Sequence, residues 1–362
     1  LQRQIDMAIS IPEIKKKIEC FPKKNLIPLA TPLQKLENLS LALGGPEIYM
    51  KRDDLTGVAF GGNKSRKLEF IIQDVLNKNA DVIITWAGVQ SNWCLQTAAV
   101  ARKFGIKTIL ILFKLYDLPE EYDGNLLLDY ILDADVRIRE AEGGKVLKLE
   151  DVQNVIEEVQ NEAKELGHTP YIAPIGGSMK GGSMEKPLGA IGYVNACAEL
   201  LEQTEELGLE INYILHASGS GGTQAGLAVG AKALREEIKV LGISVSDYKE
   251  SYGEDVLSIA QDTIITLGID IEIEKEDIII FDEYIKEGYG ILNKEVTEAI
   301  RFVAVKEGIF LDPVYTGKAM AALIDLIGKG YFNKEDRIVF FHTGGTSALF
   351  PNKNQLVNFL KS

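Results

Sequence analysis

Three cationic side chains crowd the start of one predicted helix. Two glycines and Asn63 lead into a helix whose first turn carries Lys64, Arg66 and Lys67. A helix start ordinarily favours Asp or Glu, because its free N–H groups carry partial positive charge. Cations there make sense if the site receives a dianion or a covalent partner, since a partly desolvated lysine near other cations can attack a carbonyl as a neutral amine. The same residues also fit a solvated basic helix start.

A second segment, Gly219-Ser220-Gly221-Gly222-Thr223-Gln224-Ala225-Gly226, follows a predicted strand that ends at Ala217. A glycine-rich turn at a helix start exposes backbone N–H groups that bind phosphate. Gln224 stands where the dinucleotide fingerprint needs its last glycine, and no Gly-Lys-Ser/Thr sequence closes a Walker loop. The turn therefore predicts a phosphate other than that of a dinucleotide, which also disfavours a nicotinamide dehydrogenase.

Three further turns carry polar groups that could face a substrate. In Gly88-Val89-Gln90-Ser91-Asn92-Trp93 the Ser-Asn pair can cap the next helix, and the same helix start could receive a substrate carboxylate. Tyrosines lie in the turns Gly288-Tyr289-Gly290 and Asp312-Pro313-Val314-Tyr315-Thr316, where packing alone would explain each of them. The segment His342-Thr343-Gly344-Gly345 follows the last predicted strand and could contact a cofactor.

These motifs lie at the junctions of alternating strands and helices. We predict strands over 47–51, 81–85, 108–113, 136–138, 171–173, 213–217, 240–244 and 338–341. We predict helices over 67–77, 92–104, 125–132, 149–166, 190–206 and 222–237, with mainly helices from there to the last strand. This alternation implies mostly parallel sheets covered by helices, which bind ligands beyond the carboxyl ends of their strands. The fold class is therefore α/β, with two interleaved lobes.

The composition excludes several classes of function. Of the 362 residues, 46% are hydrophobic and 25% are charged, which supports a sizeable core in two domains. The formal net charge of −14 disfavours nucleic acid and membranes as partners. Three cysteines and three histidines, without a CxxC pair, indicate neither a disulfide framework nor a metal site. No apolar run is long enough to span a bilayer, and residues 1–7 do not resemble a signal peptide, so we expect a cytoplasmic protein.

In this order the motifs resemble the pyridoxal-phosphate-dependent family of 1-aminocyclopropane-1-carboxylate deaminases and D-cysteine desulfhydrases, whose relatives include the β subunit of tryptophan synthase. The likeness covers about Pro28 to Phe350. The segments that carry it are Thr31-Pro32-Leu33, Lys51-Arg52-Asp53-Asp54, Gly61-Gly62-Asn63-Lys64, Gln90-Ser91-Asn92, the glycine loop, Asp312-Pro313-Val314-Tyr315 and His342-Thr343-Gly344-Gly345.

The resemblance implies the tryptophan-synthase-β-like fold, fold type II, with two three-layer parallel-sheet domains. The large cofactor-binding domain would comprise residues 1–66 and 178–362, and the smaller inserted domain residues 67–177. The implied cofactor is pyridoxal 5′-phosphate, with Lys64 as the Schiff-base lysine. The other implied cofactor-binding residues are Asn63, Lys67, Asn92, Gly219, Ser220, Gly221, Gly222, Thr223 and Thr316. Among them, Lys67 and the glycine loop would bind the phosphate, and Asn92 the ring hydroxyl oxygen.

The resemblance also implies the residues that face the substrate. The implied catalytic residues are Lys64, Ser91, Tyr289 and Tyr315, and the implied substrate-binding residues are Gln90, Ser91, Asn92 and Trp93. The implied reaction is an α,β-elimination on a small β-substituted amino acid. D-Cysteine, which would give pyruvate, ammonia and sulfide, is the expected substrate. A homodimer is the default assembly.

Thr316 separates the branches of the family. It stands where the deaminase carries Glu against the ring nitrogen, and a carboxylate there stabilises a protonated ring and hence a stronger electron sink. A hydroxyl suffices when a thiolate leaves but suits the opening of a cyclopropane ring less well, so Thr316 favours the desulfhydrase. The alternatives are the cyclopropane deaminase, a lyase for cysteate or another β-substituted alanine, and a non-catalytic protein that binds an amino acid.

Several positions depart from the family pattern. Trp93 stands where relatives usually carry His or Gln, and Leu95 where they usually carry Arg. Thr346-Ser347 replaces Ala-Pro, residues 179–186 look like an insertion, and Trp86 is larger than expected beside the active-site turn. These departures bear on the substrate more than on the class of reaction.

Overall fold

Strands and helices alternate along the chain as the sequence pattern predicts. The computed structural model describes residues 9–115, 122–141 and 147–362. The strands described there are β1 (Leu33–Lys35), β2 (Glu47–Lys51), β3 (Val82–Gly88), β4 (Lys107–Lys114), β5 (Asp135–Glu140), β6 (Pro170–Ile172), β7 (Tyr213–Ser218), β8 (Lys239–Ser244), β9 (Ile279–Phe281) and β10 (Arg337–Phe341). The α-helices are α1 (Ile11–Glu19), α2 (Glu37–Leu43), α3 (Lys64–Asn77), α4 (Asn92–Lys103), α5 (Gly124–Ile131), α6 (Leu149–Glu165), α7 (Leu188–Leu207), α8 (Gly222–Leu234), α9 (Lys249–Leu267), α10 (Lys294–Glu307), α11 (Thr316–Gly328) and α12 (Lys353–Lys361).

The strands form two sheets. The larger has the order β1-β2-β10-β7-β8-β9, and all its neighbours are parallel except β1, which pairs antiparallel with β2. The smaller has the order β5-β4-β3-β6 and is parallel throughout. The predicted α/β fold with two parallel sheets is confirmed. The strands β1 and β9, with three residues each, were not predicted, although β6 is equally short and was.

Helices cover both faces of the sheets. Successive strand residues alternate between two apolar clusters, so that Phe341 packs with α7 and α8 while Phe340 packs with α10 and α11. This alternation is the strand period of two, and burial on both faces explains the nearly continuous apolar runs of the central strands. None of the helices in the described ranges is both long and apolar enough to cross a membrane.

The smaller sheet lies wholly within the segment predicted to be inserted. Its strands run from Val82 to Ile172, whereas the larger sheet takes strands from both flanking segments. The predicted boundary between residues 66 and 67 falls inside α3, which packs against both α7 and α4. Because one helix contacts both halves of the molecule, the division at 66/67 and 177/178 stays a prediction.

The segment 179–186 covers the edge of the smaller sheet. Gly181 and Met184 form an antiparallel bridge, and the Met184 side chain is buried. The Ser183 amide donates to Ile172 O over 2.9 Å, and the Ile172 amide donates to Ser183 Oγ over 2.8 Å. Since β6 is the last strand of its sheet, these bonds satisfy an edge that would otherwise be open to pairing with another chain.

A buried carboxyl group lies in α5. Asp129 has no solvent exposure, and neither carboxyl oxygen has a hydrogen-bond partner among the described residues. Burial raises the pKa of Asp129 to about 8. The folded protein therefore takes up a proton at Asp129 that the unfolded chain releases near its ordinary pKa of about 4. The carboxyl group costs stability progressively as the pH rises between these two values.

We predict that Asp129→Asn raises the thermal midpoint more at pH 8 than at pH 5. The amide of the variant has no charge to bury. The free energy of unfolding of the variant, relative to that of the wild-type protein, should therefore increase by about 2 kcal/mol or more between pH 5 and pH 8. Scanning calorimetry of both proteins at the two pH values measures it. Asp270→Asn, at an exposed site, is the matched control. A gain that is the same at both pH values would contradict a buried, protonated Asp129.

Candidate active site

One cavity lies where the carboxyl ends of strands from both sheets meet. Residues at or just beyond the ends of β3, β7 and β10 line it, namely Ala87, Gly88, Ala217, Ser218, Thr343 and Gly344. The residues that directly precede four helices line it too: Asn63 before α3, Ser91 before α4, Gly221 before α8 and Tyr315 before α11. None of these four helices has an acidic residue in its first turn. Four positive helix ends thus meet at one place, which suits an anion.

The cations at the start of α3 separate in space. Lys64 lines the cavity, and burial lowers its pKa to about 8. Lys67 is fully buried behind it, and its Nζ atom donates to Gly176 O over 3.1 Å and to Ser178 Oγ over 3.2 Å. Burial, and then the nearby charge of Lys64, lowers the pKa of Lys67. Lys64 is therefore the amine that faces the cavity, while the predicted contact of Lys67 with a phosphate stays a prediction.

Arg66 anchors the start of α3 in a buried ionic cluster. Its guanidinium donates to Asp53 and Glu199 at 2.8 Å, and Lys51 Nζ donates to Glu199 at 2.6 Å. Tyr193 Oη donates to Asp53 over 2.7 Å. Burial opposes ionisation of Glu199, yet its bonds and charge interactions with Arg66 and Lys51 lower its pKa to about 2. The cluster joins β2 and α7 to the turn of α3 that carries Lys64, and so fixes the position of that lysine.

The glycine loop forms one wall of the cavity. Gly219, Ser220, Gly221 and Thr223 line it. Gly221 has a φ of +82°, which strains any other residue type. Gly222 lies behind the wall, where a Cβ atom would come within 2.7 Å of Ser178 Oγ. Ser178 Oγ and Ser220 Oγ lie 2.8 Å apart, so a chain of hydrogen bonds connects Lys67 to this loop.

The Ser-Asn turn forms a second wall. Ser91 Oγ accepts from the amides of Trp93 and Cys94 at 3.1 Å, so Ser91 caps α4 while it also lines the cavity. Asn92 and Trp93 line the cavity as well. Gln90 does not line it: its side chain donates to a carbonyl of the loop before α5 and accepts from an amide of that helix. The predicted contact of Gln90 with substrate therefore stays a prediction.

The two predicted tyrosines meet at the cavity. Tyr289 Oη and Tyr315 Oη lie 2.6 Å apart, and both residues line the cavity. Burial, followed by the neighbouring Tyr315, raises the pKa of Tyr289, so its phenol stays protonated at neutral pH. The buried ammonium of Lys318 in α11 donates to Ile285 O over 3.0 Å and to Gly288 O over 2.6 Å. Lys318 thereby ties the loop that carries Tyr289 to the helix that follows Tyr315.

Thr316 lies behind the cavity wall rather than in it. Its hydroxyl donates to Asp312 Oδ1 over 2.6 Å and accepts from the Asp312 amide over 2.8 Å. The Asp312 carboxylate also accepts from the amides of Val314 and Tyr315 at 2.8 Å. The hydroxyl proton of Thr316 is therefore already donated to Asp312, and one lone pair of its oxygen is left to accept another hydrogen bond. The predicted contact of Thr316 with the ring nitrogen stays a prediction.

Apolar side chains form the remaining wall. They are Ala87, Trp93, Leu115, Leu147 and Ile175. Trp93 Nε1 donates to Thr85 Oγ1 over 2.7 Å, so its one polar atom already has a partner. Trp86 is fully buried, and its Nε1 atom donates to Leu147 O over 2.9 Å. The two unexpected tryptophans thus build or hold an apolar surface.

Several residues that hold the site together had no role predicted from the sequence. These residues are Asn125, Tyr193, Glu199, Asp312 and Lys318. Asp312 belongs to the motif that contains Tyr315 and Lys318 follows it by two residues, so their positions in the sequence were a usable signal. The other three lie far along the chain from the side chains that they hold, so only the folded structure reveals their partners.

The residues of the cavity fit a phosphorylated aldehyde. The start of α8 provides N–H groups that lack acceptors within the helix, and Ser220 and Thr223 add hydroxyl groups beside them. The close approach of Gly222 to Ser178 leaves no room there for a side chain. Lys64, with its lowered pKa, supplies an amine that can condense with an aldehyde. Pyridoxal phosphate carries both groups.

Comparison with known proteins identifies the family. The family described as "Pyridoxal-phosphate dependent enzyme" matches residues 25–344. A Pyrococcus furiosus protein provisionally named 1-aminocyclopropane-1-carboxylate deaminase is 40% identical over 349 residues, which are 96% of this chain and 99% of the relative. The D-cysteine desulfhydrase of Serratia proteamaculans is 40% identical over 346 residues, 95% of this chain and 99% of the relative.

Solved structures agree with this result. The structure described as an ACC deaminase homologue is 38% identical, with a TM-score of 0.86 over 96% of this chain and 99% of the other. Threonine deaminase isoform 2 from Solanum lycopersicum is 15% identical, with a TM-score of 0.62 over 99% and 92% of the two chains, and shows the fold alone.

The chain belongs to the family of pyridoxal-phosphate-dependent enzymes. Within that family it is a fold type II enzyme of the group that contains the D-cysteine desulfhydrases and 1-aminocyclopropane-1-carboxylate deaminases. The predicted family, fold type and cofactor are confirmed.

We predict that the rate at which the apoenzyme captures pyridoxal phosphate depends on pH through Lys64. Only the neutral amine attacks, so the rate constant should rise about tenfold per unit below pH 8 and level off above it. Stopped-flow absorbance in the visible band of the lysine-bound cofactor measures it, and Nα-acetyl-lysine is the solution control. A rate that continues to rise up to about pH 10, as for the free amine, would contradict a lowered pKa.

Proposed function

We propose that the protein is a D-cysteine desulfhydrase, which converts D-cysteine and one water molecule into pyruvate, ammonia and sulfide. The observation that carries the proposal is the convergence of Lys64, Ser91 and the Tyr289–Tyr315 pair on one anion-binding cavity. The relatives named D-cysteine desulfhydrase, about 40% identical over nearly the whole chain, support it.

Lys64 acts first as the residue that holds the cofactor and then as a base. When bound, pyridoxal phosphate supplies an electron sink for the negative charge left when the Cα proton departs. An amine with a pKa of about 8 accepts that proton readily near neutral pH. Ser91, at the positive start of α4, binds the substrate carboxylate.

The tyrosine pair would donate a proton to the leaving sulfur atom. Tyr289 Oη and Tyr315 Oη are hydrogen-bonded, and one of the two must donate to the other. As the C–S bond breaks and the sulfur keeps the bonding electron pair, the pair would deliver one phenol proton to the sulfur atom. Because burial raises the pKa of Tyr289, the Tyr289 phenol keeps its proton at neutral pH.

The apolar wall supports a substrate with an uncharged β-substituent. Among the cavity-lining residues that the structure describes, Lys64 alone has a cationic side chain. A sulfonate placed against Trp93, Leu115 and Leu147 would lose hydration without gaining an ion pair there. A thiol suffers no such penalty, so the wall favours cysteine over cysteate.

Thr316 supports the desulfhydrase over the cyclopropane deaminase. Its hydroxyl donates to Asp312, so it can offer a ring nitrogen only a lone pair and no negative charge. That weak partner leaves the electron sink weaker than a carboxylate would, which suits departure of a good leaving group better than ring opening.

We also propose that the enzyme works as a homodimer in the cytoplasm. Closed symmetric homo-oligomers are the commonest assemblies of enzymes. Its cysteines Cys20, Cys94 and Cys197 are all free thiols, which suits a reducing compartment.

We predict that D-cysteine is the preferred substrate in a panel of amino acids. Release of pyruvate, ammonia and sulfide should be measured with both enantiomers of cysteine, β-chloroalanine, cysteate and 1-aminocyclopropane-1-carboxylate. Lys64→Ala should lose the visible band of the cofactor and about 10³-fold or more of turnover. Lys103→Ala, at an exposed position in α4, should keep both. Faster turnover of the cyclopropane substrate, or of cysteate, would overturn the proposal.

A further inference from the structure

We propose that Asn125 is a positioning residue that sets the orientation of the Asn92 amide, so that Asn92 offers its NH₂ group to the cavity. Asn125 lies in the first turn of α5, is fully buried and does not line the cavity. Its role would be to fix which end of a neighbouring side chain meets the ligand. The proposal rests on the proposed role of Asn92 in binding the cofactor or the substrate.

Apart from its backbone carbonyl, each polar group of Asn125 forms a hydrogen bond with the Ser-Asn turn or with Ser347 in the segment after β10. The backbone amide donates to Gln90 Oε1 over 2.8 Å. The side-chain Nδ2 atom donates to Gln90 O over 2.9 Å and to Asn92 Oδ1 over 2.8 Å. Ser347 Oγ donates to Asn125 Oδ1 over 2.5 Å. These bonds hold the turn that contains Gln90 and Asn92 against α5.

A backbone carbonyl sets the direction of this network. Gln90 O can only accept, so the group of Asn125 that faces it must be the NH₂. The second hydrogen of that NH₂ then points to Asn92, whose facing atom must be the acceptor Oδ1. Asn92 Nδ2 is therefore directed away from Asn125. Since Asn92 lines the cavity, a donor is the group that it can present there.

Two glycines beside the network have no space for a side chain. A Cβ atom on Gly124 would come within 2.5 Å of Gln90 Oε1 and 2.9 Å of Pro351 Cδ. A Cβ atom on Gly345 would lie 2.9 Å from Asn92 Nδ2. Both glycines have positive φ angles, +56° and +94°. The absence of a side chain at both positions therefore lets α5 and the segment after β10 pack closely on the Ser-Asn turn.

The orientation matters because the expected ligand atoms are acceptors. A deprotonated ring hydroxyl and a substrate carboxylate both accept hydrogen bonds, so an inward NH₂ binds either and an inward carbonyl oxygen repels either. Ser347, one of the departures from the family pattern, extends the network by donating to Asn125 Oδ1. Ser347 takes part in neither of the two hydrogen bonds that Asn125 Nδ2 donates, so its substitution provides a matched control.

We predict that Asn125→Asp weakens the binding of pyridoxal phosphate to the apoenzyme about tenfold. The substitution keeps the shape but leaves at most one side-chain donor, that of a protonated carboxyl group, so Gln90 O and Asn92 Oδ1 can no longer both be bonded and the Asn92 amide is free to turn. Absorbance titration gives the dissociation constant, and a pH titration of the visible band of the bound cofactor should give a shifted midpoint. Ser347→Ala keeps both donors and should change affinity less than twofold. Circular dichroism and the thermal midpoint check folding.

A double-mutant cycle separates positioning from general damage. If Asn125 acts through Asn92, then Asn125→Asp should add no further loss in an Asn92→Ala background. Additive losses, or a folded Asn125→Asp enzyme with unchanged affinity and pH midpoint, would overturn the proposal. Failure of the wild-type protein to bind pyridoxal phosphate through Lys64 would instead overturn the proposed function.

Asn92→Asp tests the same orientation if Asn125→Asp does not fold. It keeps the oxygen that accepts from Asn125 and replaces only the cavity-facing NH₂ by an oxygen. The protein should then stay folded and bind the cofactor at least about tenfold more weakly. Unchanged affinity would mean that the NH₂ of Asn92 does not face the ligand, which contradicts the inference.

Discussion

The starts of four helices meet at one cavity in a chain whose net charge is −14, and this convergence dictates the rest of the site. The overall field repels anions, so only local dipoles and donors can bind a phosphate and a carboxylate there. Burial in the same cavity lowers the pKa of the Lys64 amine to about 8, so that a useful fraction of it is neutral and able to react. Helix starts that suit an anion and an amine of lowered pKa thus lie in one cavity.

Buried polar residues behind the cavity hold each helix start in place. Arg66 and its acidic partners fix α3, Asp312 caps α11, Lys318 fastens the loop of Tyr289, and Asn125 holds the turn of Asn92. None of these side chains has a buried polar atom without a hydrogen-bond partner among the described residues, and a buried polar network gives rigidity rather than instability when its members have partners. Precise placement of the cavity-facing side chains therefore depends on residues that do not line the cavity.

The sequence predicted the fold well, and most of its motifs contribute residues to one cavity, because both depend on local patterns. Periodicity located the long strands and helices, and the cations at the start of α3 and the glycine loop pointed to an anion site because both are unusual at helix starts. It did not predict which of neighbouring residues would face the cavity. The side chains of Gln90 and Thr316 instead form hydrogen bonds with Asn125 and Asp312. For Gln90 the partner is distant in sequence, so only the folded structure reveals it.

The proposed chemistry depends on Lys64 as the residue that carries the cofactor. Reduction of the holoenzyme with borohydride, followed by proteolysis and mass spectrometry, identifies the lysine to which the cofactor is attached. We expect a single pyridoxyl group on the peptide that contains Lys64, at one per chain. Attachment at Lys67 or at another lysine, or a chain that carries no pyridoxyl group after incubation with the cofactor, would contradict it.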